Sequence, residues 1–369
     1  MQRSLVSMAS SSLLVLLLSG CSVAGNGGAP SASARPVFAT VETEPVLSAD
    51  DAADDAAIWV HPTDPARSLI IGTDKKNGLE VYDLTGRRVQ SLPDGRMNNV
   101  DIRYDFPLGD GRKVAIVAAT NRTDQTLALY AVDGNGVLSN IADGKIATGM
   151  DDPYGLCMYR SRDGEYFVFA NEGDTGVYKQ WQLEARGDKV GARKVREFNV
   201  GSQAEGCAAD DFTGHLYVAE ENVGLWRYSA SPSGGDARTQ VDSVKQGHLT
   251  DDVEGVTIFY GPDDTGYVIV SSQGSNDYNV YRRDATNTFV GKFAIVDAPG
   301  GIDGTTHTDG IDVTSAALGP AFPHGLFIAQ DGSNTSPAAA QNFKLVPWES
   351  IAKALDLPLA GGVESQDRT

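Results

Sequence analysis

The sequence predicts an all-β fold, a six-bladed β-propeller with four-stranded antiparallel blades around a central channel. Three observations predict it. The 41 glycines among 369 residues, against the ~7% of ordinary proteins, favour many tight turns over long helices. One pattern recurs six times at a period near 50 residues, the spacing of a propeller blade. Each copy holds several short runs rich in β-branched and aromatic residues, separated by turn residues, as strands should be.

In chain order, Arg3 precedes the apolar run Leu13 to Leu18, which is too short to span a bilayer and reads as the core of a signal peptide over residues 1–20. The stretch Leu18-Ser19-Gly20-Cys21 resembles a bacterial lipobox. The expectation is an exported cell-envelope lipoprotein with lipid on Cys21, or otherwise a periplasmic or secreted protein. Residues 21–36 are rich in Gly, Ala and Ser and suit a flexible tether. The propeller is expected over 37–358, with a tail at 359–369 and no second domain.

Within the propeller, a polar residue opens each inner strand, usually before a glycine: Asp55-Ala56, Asn99-Val100, Tyr154-Gly155, Glu205-Gly206, Glu254-Gly255 and Asp309-Gly310. Second runs follow at Leu69 to Thr73, Val114 to Thr120, Tyr166 to Ala170, Leu216 to Ala219, Tyr267 to Ser271 and Gly325 to Ala329. The stretch Val37 to Glu42 is expected to close the ring as an outer strand of the last blade, hiding an edge that would otherwise be exposed. Pro347-Trp348 to Leu355 reads as a short terminal helix. Cys157 and Cys207 lie two and one residues after their glycines. That offset puts them on opposite faces of their strands, so they are expected to be buried thiols.

Antiparallel succession places the loop before each inner strand and the loop after each second strand on one face of the ring. The first set brings Asp54, Asp55, Asn98, Asn99, Asp151, Asp152, Glu205, Asp251, Asp252, Glu254, Asp303 and Asp309. The second brings Asp74, Lys75, Lys76, Asn121, Arg122, Asn171, Glu172, Glu220, Glu221, Gln273 and Asp331. Two carboxylates ~5 Å apart repel by about 3 kcal/mol at an effective dielectric near 20, so such a rosette calls for cations. Calcium suits it, since it accepts six to eight oxygen ligands with loose geometry. Lys75, Lys76 and Arg122 beside this acid suggest a multiply charged anion held between metal and bases. The formal charge of −19 disfavours nucleic acid, and none is expected as a partner. No GxSxG, HExxH, P-loop or EF-hand pattern is present, so no activated nucleophile is expected.

At these residues the chain resembles the β-propeller phytases, the calcium-dependent alkaline phytases of bacteria. The stretches that carry the likeness are 50–55, 98–106, 205–211, 271–274, 308–313 and 342–348, and it runs from about Glu42 to Leu355. The resemblance implies a 3-phytase, hydrolysing the phosphate monoesters of myo-inositol hexakisphosphate by direct attack of a calcium-bound water. It implies several calcium ions, phytate or calcium-phytate as substrate, and a monomer touching membrane only through its anchor. By motif position, Asp54, Glu172, Glu205, Glu221, Asp252, Glu254 and Asp303 should hold catalytic calcium. Lys75, Arg122 and Tyr154 should contact the scissile phosphate, with Lys76 near a neighbouring one. Glu42, Asp55, Asn98 and the Val100 carbonyl should form a structural calcium site, while Gln273, Asp309 and Asp331 bind calcium or support it. Asn171 belongs to the substrate-binding set, at a position where the family pattern carries Lys, and Ala56 replaces a proline. Two rival readings are a calcium-dependent propeller lactonase or esterase, which predicts a channel without a basic cluster, and a non-catalytic calcium-stabilised surface propeller.

Overall fold

The structure, a computed structural model, describes residue 31 and residues 33–359. The expected signal peptide, Cys21, most of the tether and nearly all of the tail lie outside the described residues. Among the described residues no helix is long and apolar enough to cross a membrane.

Six antiparallel sheets form the blades. Blade one comprises Ala53–Trp59, Leu69–Asp74, Gly78–Asp83 and Arg88–Leu92; blade two Met97–Pro107, Lys113–Asn121, Thr126–Val132 and Leu138–Asn140. Blade three comprises Pro153–Arg160, Tyr166–Glu172, Val177–Arg186 and Lys189–Asn199; blade four Ala204–Asp210, His215–Glu220, Gly224–Ser229 and Arg238–Ser243. Blade five is built from Val253–Tyr260, Gly266–Ser272, Asp277–Arg282 and Phe289–Ile295, and blade six from Ile311–Thr314, Leu326–Asp331 and Asn342–Pro347. Each inner strand contacts the inner strand of the next blade, and that of blade six returns to that of blade one. The core is therefore divided into six apolar clusters, one in each gap between neighbouring blades.

The glycine of the repeat has a steric cause. A Cβ on Gly155 would lie 2.0 Å from the Glu205 carbonyl oxygen, one on Gly206 2.3 Å from that of Glu254, and one on Gly255 2.6 Å from that of Asp309. On Gly310 it would meet an Asp55 carboxylate oxygen at 2.2 Å. Each glycine thus lets the next blade's opening polar residue press against it. Just there, the register shifts between Ala53 and Ala56, Met97 and Val100, Pro153 and Leu156, Ala204 and Cys207, and Val253 and Val256. Such bulges bend a strand and re-aim the side chains they carry. The opening residues of the first five blades sit on them.

The ring closes with the beginning of the chain. Val41–Glu42 pairs with Leu345 and Lys344 as the outermost strand of blade six, as expected for this stretch. Arg35–Val37, however, leaves blade six and adds in parallel to Phe293–Ile295 at the edge of blade five. Lys344 is fully buried and reaches Glu42 at 2.6 Å, Asp303 at 2.6 Å and Asp331 at 3.3 Å. Removing one partner of a buried ion pair leaves uncompensated charge, at a cost of about 3–5 kcal/mol. Lys344→Ala should therefore lower the unfolding free energy by roughly that amount in denaturant titration. A loss under ~1 kcal/mol, the worth of a surface pair, would mean that the contact is solvated. The helix Trp348–Ala354 follows, with Trp348 fully buried and stacked on Phe259 at 3.8 Å.

Cys157 and Cys207 are bonded to each other, with Cα atoms 5.6 Å apart, and this corrects the expectation of free thiols. Their opposite faces are the reason they meet. Blades stack face against face, so the side that blade three turns to blade four is opposed by the other side of blade four. Leu156, one residue earlier, accordingly packs toward blade two, whereas Cys157 packs toward blade four with Cys207.

Candidate active site

The bulged openings direct their side chains into one end of the channel. Glu205 and Glu254 come from adjacent inner strands, and Glu221 from the turn after the second strand of blade four. Its N–H donates to the Gln203 carbonyl at 3.1 Å. One carboxylate oxygen from each of the three lies within 4.8 Å of the others, and all three residues are buried. One oxygen of Glu221 and one of Glu254 have no hydrogen-bond partner. Buried polar atoms are normally satisfied, so these two point to a ligand. Oxygens bound to one calcium at 2.3–2.6 Å lie at most ~5 Å apart, which this spacing meets. With carboxylates alone and neither His nor Cys, the cluster suits a hard cation.

Around the cluster stand Asp54, Asp309, Asn98 and Tyr154. The Asn98 amide donates to Glu205 at 2.7 Å and to Asp54 at 3.3 Å, and the Tyr154 hydroxyl bonds Glu205. Gln273 donates to Asp309, whose N–H donates to the Gln330 side chain at 2.9 Å. Burial, reinforced by neighbouring carboxylates, pushes Glu205, Glu221 and Asp309 up to about 7. The same causes hold Glu254, Asp54 and Asp55 well above the ordinary carboxylate range. Without a cation the site must retain protons.

Beside the acids opens a cleft of about 370 Å³ lined by Asp51, Lys75, Lys76, Arg96, Arg122, Asp152, Tyr154, Gly173, Asp174 and Gln203. Lys75 meets Asp51 at 2.9 Å, Asp54 at 3.1 Å and Asp309 at 3.3 Å. Burial works against its charge, but these carboxylates outweigh it and raise its pKa. Lys75 thus joins the cleft to the acidic cluster. Arg122 grips Asp152 with two bonds, at 2.7 and 2.6 Å, and donates to Asn98 at 2.8 Å. Its guanidinium lies 5.4 Å from the centre of the Tyr154 ring. The Lys76 ammonium donates to the Ala49 carbonyl at 2.6 Å.

Other candidate residues lie elsewhere. Glu42, Asp303 and Asp331 surround Lys344, so Glu42 does not join Asp55, Asn98 and Val100. Asp55 accepts the Val100 N–H at 3.1 Å, and both line a narrow cavity within the channel. Glu172 accepts the N–H groups of Asp151 at 3.1 Å and Asp152 at 2.7 Å, which positions the partner of Arg122. Asp252 is exposed, in a left-handed conformation with φ 57°. Its carboxyl is raised by partial burial and by Asp251, and its charge acts on Glu221. Asn171 is fully buried with its amide on the Ala204 carbonyl; the structure does not place it in the cleft. Arg96, Asp51 and Gln203 are cleft residues that the sequence reading missed. Arg96 and Gln203 lie one to three residues before an inner strand's opening residue, so the repeat itself carried their signal.

The family model described as Phytase matches residues 2–364. The 3-phytase of Bacillus subtilis (strain 168) is 47% identical over 327 residues, covering 86% of this chain and 85% of that protein. Among solved structures, a functionally unknown protein from Desulfotomaculum acetoxidans DSM 771 aligns at 14% identity with a TM-score of 0.44, over 65% of this chain and 71% of that one. A BBS1N chain, in complex with ARL6DN and soaked with lead, aligns at 12% identity with a TM-score of 0.47, over 85% and 98%.

Proposed function

The chain belongs to the phytase family and is a phosphoric monoester hydrolase, and from that premise we propose that it hydrolyses phytate in a calcium-dependent reaction at the Glu205–Glu221–Glu254 cluster. The observation that carries the proposal is the meeting of two opposite charge sets, three buried carboxylates within 4.8 Å beside a cleft lined by Lys75, Lys76, Arg96 and Arg122. A propeller lactonase has no use for four bases at its mouth.

Glu205, Glu221 and Glu254 would hold calcium, with Asp54 and Asp309 beside them. When bound, the ion supplies charge neutralisation for a polyanionic substrate and lowers the pKa of nearby water. The remaining work belongs to the chain. Lys75, kept protonated by its three carboxylates, presents a positive charge at the boundary between acids and cleft. Arg122 offers a planar fork to a phosphoryl group, and Asp152, held by Glu172, keeps that fork oriented. Such groups stabilise charge on the transferring phosphoryl without reorganising. Tyr154 donates to Glu205 and stacks near Arg122, so it ties the two halves together. In this reading water attacks directly and in line, while Lys75 and Arg122 stabilise charge on the phosphoryl group as it transfers.

The test is phosphate release from myo-inositol hexakisphosphate near pH 7.5. Chelator-stripped protein should be inactive and calcium should restore turnover. Release that persists in chelator would refute calcium dependence. No release by folded, calcium-loaded protein would refute phytate as the substrate.

A further inference from the structure

We propose that the Cys157–Cys207 disulfide is a positioning element of the acidic cluster, holding Tyr154 and Glu205 at the separation that calcium binding needs. The inference rests on the assignment of calcium to that cluster and adds to it two residues that touch neither metal nor substrate.

The two cysteines are one repeat apart, with 50 residues between them in sequence, on the inner strands of blades three and four. Tyr154 and Glu205 stand within the bulges that open those strands, where the register shifts between Pro153 and Leu156 and between Ala204 and Cys207. A bulged residue is left out of the ladder, so its position is set by the paired residues on either side. Cys207 is the first paired residue beyond its bulge and faces Val218; Cys157 is the second beyond the other bulge and faces Phe169. The disulfide thus joins the lower anchors of both bulges across the gap between the blades. Its two residues are buried in the apolar cluster of that gap.

This gap runs directly under the site. The Tyr154 hydroxyl bonds Glu205 across it, and the Glu205 carbonyl accepts the Tyr178 hydroxyl at 3.2 Å. A Cβ on Gly155 would meet that same carbonyl oxygen at 2.0 Å, and one on Gly206 would lie 2.3 Å from the Glu254 carbonyl oxygen. The width of one gap is thereby passed to the next, and with it the placing of Glu254. Glu205, Glu221 and Glu254 repel one another while no cation neutralises them, which favours a wider channel end. A covalent link fixes one of the six gaps against that widening. The ligands then start close to their bound positions, and less order must be imposed when the ion arrives. A disulfide is ordinarily a staple that acts on the unfolded chain. Here it lies two residues from one carboxylate of the cluster and three from the tyrosine bonded to it, so its loss reaches the folded site as well.

The test is calorimetric calcium binding by three full-chain forms. They are wild type with the bond established by peptide mapping, the Cys157→Ala/Cys207→Ala double variant, and wild type folded in excess dithiol. The binding step of interest is the one that Glu254→Gln removes. Groups that orient metal ligands are typically worth about 10–100-fold in affinity, so both bond-free forms should bind calcium at this step about ten-fold more weakly. At saturating calcium their kcat on phytate should approach that of wild type. Phe167→Leu is the control for a merely structural role. It thins the same apolar cluster near the end of its strand remote from the channel mouth, and should lower the melting temperature while leaving calcium affinity unchanged. Equal calcium affinity with and without the bond, an equal loss in Phe167→Leu, or free thiols at both positions in the oxidised chain would overturn the proposal. Calcium binding that Glu254→Gln leaves intact would instead overturn the calcium assignment, and this proposal with it, whatever the turnover.

Discussion

Replacing Glu205 or Glu254 by Gln should lower phosphate release from phytate by about 10²–10³-fold, the cost of removing a group that organises charge in a preformed site. Glutamine keeps the shape and one oxygen, so packing is spared. The three-carboxylate set loses one charge and one ligand. The same substitution should affect stability in opposite directions with and without calcium. In chelator the variant relieves repulsion among Glu205, Glu221 and Glu254, so its melting temperature should exceed that of the wild type. With calcium the order should reverse, since wild type binds the ion more tightly and is stabilised in proportion to that affinity. Paired melting curves and initial rates check both claims. Wild-type turnover in both variants would end the assignment of this cluster to catalysis.

The metal-free protein should lose stability as pH rises through neutrality. Glu205, Glu221 and Asp309 ionise near 7 in the folded chain, but near 4 when unfolded. Between those values the folded state binds more protons than the unfolded state, so unfolding free energy falls with increasing pH. The stabilisation is complete below about pH 4 and is exhausted once pH passes about 7. Calcium should flatten this slope, because the ion takes over the neutralisation that protons supply in its absence. Chemical denaturation at pH 5, 6, 7 and 8 in chelator and in calcium measures both slopes. A metal-free stability that rises from pH 5 to 8 would show that these carboxylates are solvated.

Much of this architecture was legible in the sequence because one physical cause repeats. The inner strands crowd the axis, so each repeat carries a small residue after its polar one, and Gly155, Gly206, Gly255 and Gly310 mark four blades. The polar partners of those glycines are the residues that converge, which is why Glu205, Glu254 and Asp309 could be read from spacing. Less legible was anything set by contacts between distant segments. Glu42 and Asp331 end their strands and Asp303 lies in a loop, but a buried lysine from strand Asn342–Pro347 gathers all three. The cysteines were correctly placed on opposite strand faces. Blade stacking turns opposite faces toward each other, which alternation along one strand does not reveal. Asn171 has a loop-side position in the repeat, yet Gly155 and the Ala204 carbonyl enclose it. Arg96 stands three residues before Asn99 in the repeat, and its place at the cleft wall is fixed by backbone bonds to Arg122 and Thr123 from the next loop.

The pairing of Val41–Glu42 with blade six also sets an order of events during synthesis. Thr43 and Phe343, which bond each other, are 300 residues apart in sequence. This strand, among the earliest to be made, must therefore wait for nearly the whole chain before it finds its partner. Contacts of such long range are slow to form, because loop-closure entropy is lost before they return any stabilisation. Until then the edge formed by Asn342–Pro347 stays unpaired and able to accept a strand from another molecule. Capture of Val41–Glu42 is accordingly expected late in folding, and aggregation should be greatest in the interval before it.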